Sequence, residues 1–382
     1  MVVRKQMYNT AYNTQPMKIF PFNYILLFTI GIAIFSILVL SDNVWGQTSS
    51  PLVTSSRGFF NTTTGGTLQN TISSLPNASS IFNPEANECP NEIAIYVHGV
   101  WTSEEDAKEQ LERIDLSLKS LNYSIPMIGF SWDSNTTFSL QNQTLAQEGW
   151  QTAKFIANKN GALLGKFIAD LKEACPDTDL RLVAHSLGAR VVFSALQSLQ
   201  SNEQPVNITD NDTSKKIETV HLLGAAVDDE QVSTSHIDCV SNFPPLGCSG
   251  KDIEAEVNNL FNLYNSEDNL LAPSFSGTVP SVYETAEDDD ALGAGGAEDI
   301  LSVPDNYNET DVRSRILIDI DANGDRKCDL PVYLGFGFQQ CSIVSRGDNH
   351  MGYLGFRNAD GSVYDTGVID VVVEGWFKNW AR

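Results

Sequence analysis

The chain has 382 residues, 42% of them hydrophobic, and carries 48 acidic against 24 basic side chains for a formal net charge of −24. That excess excludes nucleic acid as a partner, because phosphates would repel the surface. It fits solubility, a salty or acidic milieu, or cation sites, and it disfavours docking of the folded part on anionic lipid.

In chain order, residues 1–18 hold Arg4, Lys5 and Lys18 and read as a cytoplasmic leader. The uninterrupted apolar run through Tyr24 to Leu40 makes residues 19–41 a membrane-directed segment. Its length falls between a signal-peptide core and a full span of about 20 residues. Val44-Trp45-Gly46 offers a small-residue cleavage site before Gln47, so signal peptide and signal anchor both stay open. Basic residues precede the run and none follows it closely, which puts the rest of the chain outside the cytoplasm. The protein is then secreted, or tied to the membrane through this segment if it is uncleaved. Residues 47–88 are rich in Ser, Thr, Asn and Gly and read as a tether.

From Cys89 onward, strand and helix patterns alternate. Strands are predicted at 92–97, 126–131, 180–184, 217–225 and 258–265. Helices are predicted at 103–119 with Thr102 or Ser103 as cap, at 145–174, from the elbow to about 200, and at 367–380. The roughly 290 residues of 89–382 are enough for one large core. Such alternation implies an α/β domain, a mostly parallel, doubly wound sheet with helices on both faces. Ligands in such sheets bind at the carboxyl ends of the strands. The rhythm breaks over 272–349, an acidic, loop-rich insertion before the last helix that reads equally as a lid or as a solvated excursion. Within it, Asp319, Asp321, Asn323 and Asp325 with Gly324 match the opening of a calcium loop, but Leu330 stands where the closing Glu belongs. A structural calcium site and a plain acidic turn both remain.

Six cysteines behind an export segment allow three disulfides. Cys239 with Cys248 and Cys328 with Cys341 are near neighbours in polar loops, and Cys89 and Cys175 each precede a predicted strand. That set is one choice among 15 connectivities. Asn-x-Ser/Thr triplets beginning at Asn61, Asn77, Asn122, Asn135, Asn142, Asn207, Asn211 and Asn308 suit a glycosylated surface.

Chemistry concentrates at the end of the strand 180–184. The apolar run Leu182-Val183-Ala184 meets Ser186, with Gly188 two positions on and a helix-forming stretch behind it. This is the layout of a nucleophile elbow, although Ala184 departs from the usual Gly by one methyl. Taken alone, a small-x-Ser-x-Gly pattern is common by chance and more often marks an ordinary strand–turn–helix. Upstream, the strand 92–97 runs into His98-Gly99. Together these motifs resemble the α/β-hydrolase superfamily of esterase and lipase type, over residues 89–382.

The resemblance implies Ser186 as nucleophile and the backbone N–H groups of Leu187 and Val100 as an oxyanion hole. It implies a base late in the chain. Of the five histidines, His98 and His185 belong to the two turns, His221 is mid-strand and His236 precedes the expected acid, which leaves His350. The acid is Asp268, at the end of the strand 258–265, with Asp228 or Asp229 as rivals. No cofactor is implied for catalysis. The expected activity is hydrolysis of a small-molecule or lipid-like carboxylic ester through an acyl-enzyme. Acyl transfer or amide hydrolysis on the same triad is the alternative within the class. From another class, a non-catalytic cell-surface protein binding calcium or another ligand on a hydrolase scaffold also fits.

Overall fold

The computed structural model describes residues 52–68, 81, 89–137, 143–201, 216–235, 239, 246–268, 270–272, 290–316, 333–334, 338–339, 350–357 and 360–377. All of these lie in one compact unit, Pro51–Arg382. The leader and membrane-directed segment at 1–41 fall outside the described residues. Among the described residues, no helix is long and apolar enough to cross a membrane.

Seven strands form the sheet: β1 (Leu52–Ser55), β2 (Glu92–Val97), β3 (Met127–Ser131), β4 (Asp179–His185), β5 (Ile217–Leu223), β6 (Val257–Tyr264) and β7 (Tyr307–Asp311). Their order is β1-β3-β2-β4-β5-β6-β7, and every neighbouring pair is parallel. The helices are α1 (Glu104–Ser120), α2 (Gln143–Ala174), α3 (Gly188–Ser201), α4 (Gly250–Glu256) and α5 (Ile369–Phe377).

Both faces of the sheet are buried, which is why its strands read as continuous apolar runs. In β2, Ile93, Ile95 and Val97 join a core under α2, α3 and α4, while Ala94 and Tyr96 join a core under α1 and α5. Ser103 caps α1: its hydroxyl accepts from the Asp106 amide, and the Asp106 carboxylate accepts from the Ser103 amide. After β2 the chain steps outward to β3, then crosses back to place β4 on the other side of β2. The carboxyl ends of β2 and β4 therefore flank the point where the winding reverses, the crevice in which such sheets bind ligands.

Two expectations need correction. The stretch 47–88 is not a tether throughout, because β1 extends the sheet edge along β3, Phe59 and Phe60 are buried, and the Asp133 carboxylate accepts from the Gly58 and Phe60 amides. Four residues of strand are too few to register as periodicity; the unpaired edge of β3 selects them. The insertion 272–349 likewise contains β7, paired to β6, and a single helical turn, Leu292–Gly295. An edge strand reading Tyr-Asn-Glu-Thr-Asp is half solvated and carries little apolar signal.

Candidate active site

Ser186 follows β4 directly and adopts φ +55°, the left-handed conformation that costs a non-glycine residue about 1–2 kcal/mol. The turn is over-determined by its hydrogen bonds. The Ser186 amide donates to Leu223 O on the neighbouring strand at 3.0 Å, and its carbonyl accepts from the Ala189 and Ala226 amides. Crowding explains the small residues. A Cβ on Gly188 would sit 2.4 Å from Val97 O, and one on Gly99 would sit 2.7 Å from Ser186 Cβ. The extra methyl of Ala184 is fully buried in the core, so the departure from Gly is absorbed by packing.

His350 and Asp268 meet beside this elbow. The imidazole Nδ1 lies 2.6 Å from Asp268 Oδ2, and both side chains are buried. A carboxylate only accepts here, so Nδ1 carries a proton and donates it to Asp268. The other Asp268 oxygen accepts from the Leu270 and Leu271 amides at 3.0 and 3.3 Å, which fixes the carboxylate plane. Of the competing acids, Asp268 is the one paired to the imidazole. Asp228 and Asp229 lie buried at the loop after β5, where Asp228 bridges to Ala291. Ser186 makes no hydrogen bond to the imidazole in this structure; such contacts tighten when substrate binds.

His185 went unrecognised in the sequence as anything but part of the turn. Its Nε2 donates to the His350 backbone carbonyl at 2.9 Å, and the two rings lie 4.7 Å apart. Burial, reinforced by the neighbouring His350, holds His185 well below the ordinary histidine pKa, so it is a neutral donor that moors the His350 segment to the elbow. Tyr353 closes the same cluster, with ring centroids 6.2 Å from both histidines.

Opposite Ser186, the turn 98–102 leaves β2 with Trp101 at φ +53°. Among the described residues, neither the Leu187 nor the Val100 amide donates a hydrogen bond. His98 is buried, stacked on Trp132, and pushed down to about 3 by burial and by Arg57. His221 is also buried and stacks on Phe261. Cys89–Cys175 and Cys239–Cys248 are bridged. Cys328, Cys341, His236 and the calcium-loop residues Asp319, Asp321, Asn323 and Asp325 lie outside the described residues.

No curated protein matches the chain. Among solved structures, the chain is similar to a novel cutinase-like protein from Cryptococcus sp., at 13% identity and a TM-score of 0.26, over 45% of this chain and 76% of that one. Residues 78–276, just over half the chain, match the family described as alpha/beta hydrolase of unknown function (DUF900). With its all-parallel sheet and its serine on a strained strand-to-helix turn, the chain belongs to that alpha/beta hydrolase family.

Proposed function

We propose that the protein is a serine hydrolase that cleaves carboxylic esters outside the cytoplasm. The observation that carries this reading is the buried Asp268–His350 pair, 2.6 Å apart, set beside a serine held in left-handed conformation. Ser186 Oγ attacks the acyl carbonyl while its proton passes to His350 Nε2. Asp268 holds the tautomer and stabilises the imidazolium. The negative charge on the tetrahedral oxygen is received by the Leu187 and Val100 amides, which have no other acceptor among the described residues. The ester C–O bond breaks, His350 returns the proton to the departing alcohol, and water repeats the sequence to release the acid. The two disulfides support an oxidising compartment.

The test is labelling by a fluorophosphonate probe together with hydrolysis of a short-chain ester. The wild type is expected to label, Ser186→Ala to lose label, and Ser186→Ala and Asp268→Asn each to lower kcat by about 10³-fold or more. Asp228→Asn is expected to stay within about tenfold of wild type, since it does not touch the imidazole. A folded wild type that neither labels nor hydrolyses any ester would leave the scaffold a binding protein. Loss of activity in Asp228→Asn alone would transfer the acid role.

A further inference from the structure

The segment before β2 does more than cover a sheet edge. Just after β1, the Arg57 guanidinium reaches the turn 98–102 and ties together both of its ends. Its Nη2 donates to Thr102 O at 2.9 Å and lies 3.3 Å from His98 Nε2, while its Nε donates to Ser131 Oγ at 2.6 Å. The Trp132 amide also donates to His98 Nε2, at 3.1 Å. Arginine and a backbone amide can only donate, so Nε2 must be an acceptor and the ring proton must sit on Nδ1. Nδ1 lies 2.9 Å from Gly99 O and donates to it. That carbonyl belongs to the same peptide unit as the Val100 N–H. In a trans peptide the two groups point in opposite directions, so anchoring the oxygen aims the hydrogen.

We propose that Arg57 is a positioning residue for the oxyanion turn. Together with the Trp132 amide it holds His98 as the Nδ1–H tautomer, and His98 in turn orients the Gly99–Val100 peptide so that its N–H faces the acyl oxygen at Ser186. The kinetic half of this inference rests on the serine-hydrolase reading; the tautomer half rests on hydrogen bonding alone. The opposite tautomer would set an Nδ1 lone pair against Gly99 O, and the peptide would lose its anchor. The Thr102 hydroxyl, donating to Val100 O at 3.2 Å, restrains the next peptide in the same turn.

The experiment is a double-mutant cycle on the full chain with Arg57→Met and His98→Asn, read by kcat and KM on a short-chain ester and by Ki for an arylboronate. An asparagine amide supplies a donor in place of Nδ1 and has no ring tautomer to set. Arg57→Met is expected to lower kcat about tenfold or more, to weaken the boronate in parallel, and to leave KM within about twofold. In the His98→Asn background the same change is expected to cost less than about twofold. Equal losses in both backgrounds would show that Arg57 only pins its segment, and would overturn the proposal. Ring ¹H–¹⁵N spectra give a readout independent of activity: Nδ1–H in the wild type and a mixture of tautomers in Arg57→Met. Nε2–H in the wild type, or unmixed Nδ1–H in Arg57→Met, would overturn it. If Arg57→Met does not fold, Arg57→Gln retains a donor and is expected to keep Nδ1–H; its loss there would also overturn the proposal. A wild type without Ser186-dependent hydrolysis would sink the parent reading, and the spectra alone would then decide this one.

Discussion

At the scale of single residues, the site is a set of positions where the backbone accepts strain for the sake of geometry. Ser186 at φ +55° is the clearest, and it separates two truncations that both remove the hydroxyl. Ser186→Gly relieves the left-handed penalty, whereas Ser186→Ala keeps it, so the glycine variant is expected to be the more stable by about 1 kcal/mol in urea unfolding. The reverse order would mean that the turn is unstrained. Gly188→Ala would bring a methyl to 2.4 Å from Val97 O and is expected to lower stability by about 1–3 kcal/mol, by forcing the helix off the strand. Ser186 and Gly188 were legible in the sequence because the elbow is a local motif with fixed offsets. The functions of His185 and Arg57 were not, since a histidine next to the serine and an arginine in a Ser/Thr-rich stretch acquire their roles only from partners 165 and 41 residues away.

At the scale of elements, strands and helices from β2 to β6 form where their apolar runs lie, because burial on both faces leaves each strand one long hydrophobic stretch. The termini of these elements are tied by covalent and polar bonds at the edge opposite the site. Cys89, ahead of β2, is bridged to Cys175, after α2, and nearby the Thr178 hydroxyl donates to Pro90 O at 2.7 Å. The two bridges span very different loops, with separations of 86 and 9 residues. In the chain-entropy model, the long loop contributes about 4.5 kcal/mol and the short one about 2.7 kcal/mol. Cys89→Ser with Cys175→Ser is therefore expected to lower the unfolding free energy more than Cys239→Ser with Cys248→Ser. Equal losses would point to native-state effects rather than loop closure.

At the scale of the whole molecule, acid stability should be set in part by buried histidines held neutral in the folded chain. His98 and His221 are each pushed down to about 3, chiefly by burial, and His185 well below its ordinary value. The unfolded chain takes up these protons near pH 6.5 while the folded one refuses them. The stabilising contribution is thus present above about pH 6.5 and is lost as pH falls toward about 3, at about 1.4 kcal/mol per pH unit per histidine. His221 has no hydrogen bond to either ring nitrogen among the described residues, so His221→Leu is expected to leave stability at pH 7 near wild type. It should also reduce the loss between pH 6 and pH 4 by about one such increment per unit; an unchanged slope in urea unfolding would refute this. The net charge of −24 adds its own pH dependence, shared by both proteins and cancelled in their difference. What the sequence by itself determined was whatever is written locally: the alternation that makes a parallel sheet and the strand–turn–helix elbow at Ser186. Tertiary structure alone decided which acid meets His350, that Leu52–Ser55 and Tyr307–Asp311 complete the sheet edges, and that Arg57 braces the turn after β2. Those outcomes depend on hydrogen bonds and edge pairings between residues distant in the chain, whose energy exists only once the sheet has brought them together.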